Sequence, residues 1–132
     1  MRATLIILTM AYVLSQFYRA FLAVLAAPLQ AEIGATAAQL SAASGYWFIT
    51  FALMQIPVGW ALDALGPKRT NAALLAVGAG GGAMVFAAAT APWHVSLAMA
   101  LIGIGCSPVL MASYYVVARS FSAAAFATMA AF

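Results

Sequence analysis

Long apolar stretches dominate this chain, separated by short clusters of Pro, Gly and charge. A membrane-crossing helix needs roughly 20 mostly apolar residues, and four stretches reach that length: about 3–27, 41–62, 70–91 and 95–118. The joints carry helix breakers, Pro28 with Gly34, Gly66 with Pro67, and Pro92, as expected where helices end at a membrane surface. A further apolar stretch, 123–132, is cut short at Phe132; it would rise only about 15 Å, half of a hydrocarbon core. The pattern predicts one all-α membrane domain over 1–132, a bundle of four transmembrane helices plus a partial fifth.

Composition agrees with this reading. Hydrophobic residues make up 67% of the chain and charged residues 5%, with a mean hydropathy of +1.09. That leaves too little polar surface to cover a water-soluble domain, so a lipid bilayer is the expected partner. The net charge of +3 comes from Arg2, Arg19, Lys68, Arg69 and Arg119, which are dispersed rather than clustered on a solvated face, and this argues against nucleic acid. Cys106 is the single cysteine, which excludes an internal disulfide and a thiolate metal cluster. The first apolar run is longer than a signal-peptide core and contains Arg19, so it reads as a retained span.

Orientation follows from the bases. If the four helices alternate, Arg2, Lys68, Arg69 and Arg119 share one side, while Glu32 and His94 lie on the other. By the positive-inside rule the N-terminus is cytoplasmic, in a plasma or bacterial inner membrane. Tyr46, Trp47 and Trp93 then fall in the outer half, where an aromatic belt is expected. Gly78 and Gly82 have the GxxxG spacing and read, like Gly103 and Gly105, as tight helix packing.

Arg19 stands within the first apolar run, where a central charge costs about 2.5 to 3.5 kcal/mol on insertion scales. Tyr12, Gln16 and Arg19 recur at helical spacing, so a phenol, an amide and a guanidinium share one face. That face is expected to line a polar cavity, with snorkelling to the outer interface as the competing account. A guanidinium in a cavity would favour a small organic anion, because it can bind a carboxylate or phosphate in bidentate fashion. Further lining candidates are Trp47, Phe51 and Gln55, and Ser107, Met111 and Tyr114, although stripes at this spacing are more often packing. His94 and Glu32 read as outer loop residues. No paired acids, metal-ligand spacing, phosphate loop or activated nucleophile occurs, so neither an enzyme nor a cofactor is expected.

Half of the remaining charged residues sit in "GWALDALGPKR", from Gly59 to Arg69. Asp63 falls at the carbonyl end of one helix, and Lys68 and Arg69 at the amide end of the next. Each charge opposes the local helix dipole at about 0.3 to 1 kcal/mol. Mutual attraction across the turn offsets this, with Gly66 reversing the backbone, Pro67 starting the next helix and Arg119 a further partner for Asp63.

The stretch resembles the G-x-x-x-D-x-x-G-x-[RK]-[RK] loop between the second and third helices of the major facilitator superfamily. That resemblance implies part of the N-terminal half of the family's fold, which is two six-helix halves built of inverted three-helix repeats. It also implies a cytoplasmic gate in which Gly59 permits close helix approach and Asp63, Gly66, Lys68, Arg69 and Arg119 form a switchable latch. Two departures stand out: Ala64 and Pro67 occupy positions that are often basic, and Met99 stands where a second family pattern, R-x-x-x-G-x-G, has its arginine. The functional expectation is the N-terminal part of a secondary transporter of a small solute, acting by alternating access and inactive without its remaining helices. The alternative is a transporter-like accessory subunit docked on other membrane subunits.

Overall fold

The computed structural model describes residues 2–122 and residue 127. The expected partial helix over 123–132 therefore lies outside the described residues, apart from that one position. Every regular element among the described residues is helical: α1 (Arg2–Val24), α2 (Ala26–Ile33), α3 (Ala37–Leu53), α4 (Gln55–Leu65), α5 (Pro67–Leu74), a π-helical turn (Leu75–Gly80), α6 (Gly81–Ala87) and α7 (Pro92–Ser120). Three membrane-length helices result, Ala3–Val24, Pro67–Ala87 and Pro92–Ser120, with the bent pair α3–α4 as a fourth.

Local chemistry explains the boundaries. Pro28 lacks the N–H that would bond the Val24 carbonyl, so α1 breaks at Leu25 and resumes as α2. The true stop comes at Gly34, in the left-handed region at φ 66, whose N–H bonds the Leu29 carbonyl. Thr36 and Gln39 then form a reciprocal capping box that starts α3 at Ala37, four residues ahead of the expected boundary. Pro57 breaks the second segment in the same way as Pro28, and α3 and α4 meet at 45° about Met54. Pro67 and Pro92 occupy first-turn positions of α5 and α7, where a missing N–H costs nothing.

α7 is the axis of the bundle, and α1, α3, α4, α5, the π turn and α6 all pack on it. Its buried residues run from Val95 to Ala112. The main core joins Leu22, Leu40, Ala43, Trp47, Met99, Ile102 and Cys106, and a smaller cluster of Val58, Leu62 and Ala112 ties α4 to the far end of α7.

Two glycine faces of α7 set its distance from its neighbours. A Cβ on Gly78 would stand 2.5 Å from Gly105 N, and one on Gly82 would stand 2.6 Å from Ile102 Cγ1. A Cβ on Gly105 would collide with the Ala79 backbone. The π turn widens the helix by one residue per turn, so that both Gly78 and Ala79 meet Gly105. On the opposite face Gly103 admits the Trp47 carbonyl and the Thr50 hydroxyl. Thr50 Oγ1 lies 2.9 Å from the Ala100 carbonyl, a hydrogen bond between α3 and α7.

The outward faces are apolar. Ile6, Ile7, Met10, Val13 and Phe17 on α1 are exposed, as are Ile56 and Trp60 on α4. This is the expected outer surface of a bundle whose solvent is hydrocarbon.

Candidate functional site

Charge density is highest at the turn from α4 to α5. Gly66 caps α4 through its N–H to the Leu62 carbonyl at 3.1 Å and has φ 83, a conformation that favours glycine. Thr70, one turn into α5, is buried, and its hydroxyl donates to the Ala61 carbonyl of α4 at 3.0 Å. That bond crosses the turn and holds the two helix ends together.

On this braced turn the three charges point outward. Asp63, Lys68 and Arg69 are all exposed, and Asp63 makes no ion pair among the described residues. Lys68 borders a cleft of about 440 Å³ beside α1, whereas Arg69 borders a groove of about 380 Å³ walled by Met54, Pro57 and Trp60. The two bases, adjacent in sequence, thus diverge onto opposite sides of α5. Arg119 lies 4.5 Å from the Tyr115 ring centre on its own helix, a cation–π contact, and not on Asp63. A Cβ at Gly59 would meet only Met111 Cε at 3.9 Å, so the packing within the described bundle does not require glycine there.

Around Arg19 the spacing-based grouping can be placed on the helix. The buried stripe of α1 contains Leu8, Ala11, Ser15 and Leu22, and Tyr12, Gln16 and Arg19 flank it on one side. Arg19 is exposed, with its guanidinium 5.4 Å from the Phe48 ring centre of α3. It borders a groove of about 280 Å³ that also presents Gln30, Ser41 and Ser44. These polar groups were not among the sequence candidates, because nothing in the linear order brings α2 and α3 beside Arg19.

The remaining lining candidates divide. Trp47 is 4% exposed, stacked on Phe51 at 5.0 Å and packed in the core, so it belongs to neither an aromatic belt nor a cavity wall. Its Nε1 is buried without a hydrogen-bond partner among the described residues. Gln55 Nε2 donates to the Phe51 carbonyl at 2.9 Å, across the α3–α4 bend. Ser107 is fully buried and Met111 packs against the Val58 cluster, while Tyr114 is exposed on α7. His94 Nδ1 accepts the Ala91 N–H at 3.2 Å, which makes it a cap for α7 rather than a free loop residue. No family model, curated protein or solved structure matches the chain.

Proposed function

We propose that this chain is part of a secondary transporter resembling the major facilitator superfamily, which moves a small solute by alternating access, with a bias toward organic anions. The observation that carries the reading is the charged turn: Asp63, Lys68 and Arg69 are exposed around a backbone braced by Thr70, and Asp63 has no ionic partner among the described residues. A charge set held stiffly and left unpaired suits an interaction with a second, moving bundle. In this reading the turn and the N-terminus face the cytoplasm, and Gly59, Gly66 and Arg119 complete the latch. Tyr12, Gln16 and Arg19, with Gln55 and Tyr114, approach the solute.

The test is uptake in cells carrying the native protein, assayed with a panel of radiolabelled carboxylates and phosphate esters. Asp63→Asn is expected to lower uptake at least tenfold, on the order of the 1.4 kcal/mol by which a lost latch would shift the gating equilibrium, while binding persists. Arg19→Ala is expected to remove anion binding itself. Full uptake by Asp63→Asn would refute the latch. The same free charges suit docking onto another membrane subunit, and isolating the native chain with its co-purifying proteins separates the two.

A further inference from the structure

Beside Lys68, which the transport reading assigns to the latch, lies a cleft that the same reading leaves unused. It lies between α1, α5 and the C-terminal part of α7, has a volume of about 440 Å³, and is walled mainly by apolar side chains such as Ile7, Leu8, Leu75 and Val116. Its polar side chains are Thr4, Lys68 and Asn71. Asn71 is only 7% exposed, and its Oδ1 is buried with no hydrogen-bond partner among the described residues. A buried amide oxygen with no partner is costly, and the side chain that carries it belongs to the cleft wall. At the same end, no side chain among the described residues caps the N-terminus of α5, so its first N–H groups and Lys68 present positive potential together.

We propose that this cleft binds an anionic phospholipid. The phosphate sits at Lys68 and the first turn of α5. One turn along α5, a rotation of the Asn71 side chain brings its Oδ1 to accept a hydrogen bond from a headgroup hydroxyl, and an acyl chain fills the apolar remainder. Charge and depth favour a lipid over a soluble anion: the cation is exposed, the Asn71 side chain is buried one turn along α5, and, Thr4 apart, the rest of the lining is apolar. A zwitterionic choline lipid offers no donor to Asn71 and no net charge to Lys68. The site does not depend on any transport activity.

The experiment uses the whole chain purified in detergent and stripped of lipid, then supplied in turn with phosphatidylglycerol, phosphatidylcholine or inorganic phosphate. Native mass spectrometry reads retention and a thermal melt reads stabilisation. Phosphatidylglycerol is expected to be retained and to raise the melting temperature, and the other two are not. Lys68→Ala is expected to weaken retention about fivefold, the factor supplied by one interfacial base. Arg69→Ala, on the far side of α5, should leave it unchanged. Asn71→Leu should raise the melting temperature of the lipid-free protein, by removing the unpaired amide, and at the same time abolish the added stabilisation by phosphatidylglycerol. Equal stabilisation by phosphatidylcholine would overturn the proposal, as would stabilisation by inorganic phosphate alone. So would phosphatidylglycerol retention that is the same in both cleft variants and the wild type.

Discussion

At Gly105 a single methyl group separates a close helix contact from a collision, because a Cβ there would meet the Ala79 backbone of the facing segment. Backbone cannot yield as a side chain can, so Gly105→Ala is expected to cost about 1 to 3 kcal/mol. Gly81→Ala is the contrast: a Cβ at Gly81 has nothing within 4 Å, and replacing a helical glycine with alanine should stabilise by up to about 1 kcal/mol. Unfolding of both variants in mixed detergent micelles checks the pair. The GxxxG spacing of Gly78 and Gly82 marks a seam in the linear chain, but it does not say which helix fills that seam. Nor does spacing distinguish Gly105 from Gly81, since both are glycines inside apolar helices and differ only in what lies opposite.

Three prolines show how an element's fate depends on its surroundings. Pro28 and Pro57 each break a helix three residues upstream, whereas Pro108 lies inside an unbroken α7. Pro108 leaves the Ile104 carbonyl without its usual amide donor, and the Ser107 hydroxyl takes that role at 2.6 Å. Ser107 and Pro108 are both fully buried, so water cannot substitute. Ser107→Ala is therefore expected to destabilise by about 1 to 3 kcal/mol, the cost of a buried unpaired carbonyl. In the double variant with Pro108→Ala most of that loss should return, because the new alanine N–H reaches Ile104. A double-mutant cycle on the melting curves measures this coupling. Equal losses in the single and double variants would show that the serine acts elsewhere.

For the molecule as a whole, the decisive feature is that α7 is surrounded. Cys106, at its centre, is 0% exposed, so a water-soluble maleimide should leave it unmodified in the folded protein and label it fully after denaturation. Labelling in step with a thermal melt would make this thiol a reporter of bundle opening. By contrast, α1 is mostly exposed on its outer side and should be the first helix to exchange amide hydrogens, since it is the least buried of the three membrane-length helices. Hydrogen exchange followed by mass spectrometry checks that order.

The chain alone determined that the protein would be helical, with membrane-length apolar segments. It also determined where charge would gather, because hydropathy and helix breaking act over a few neighbouring residues and are written in their order. The tertiary structure decided that Trp47 belongs to the core, that Lys68 and Arg69 look in opposite directions, and that Thr70 and Asn71 matter at all. Those outcomes depend on the angle at which one helix leaves a turn and on what then stands across from it, and such distances are set by packing between residues far apart in sequence.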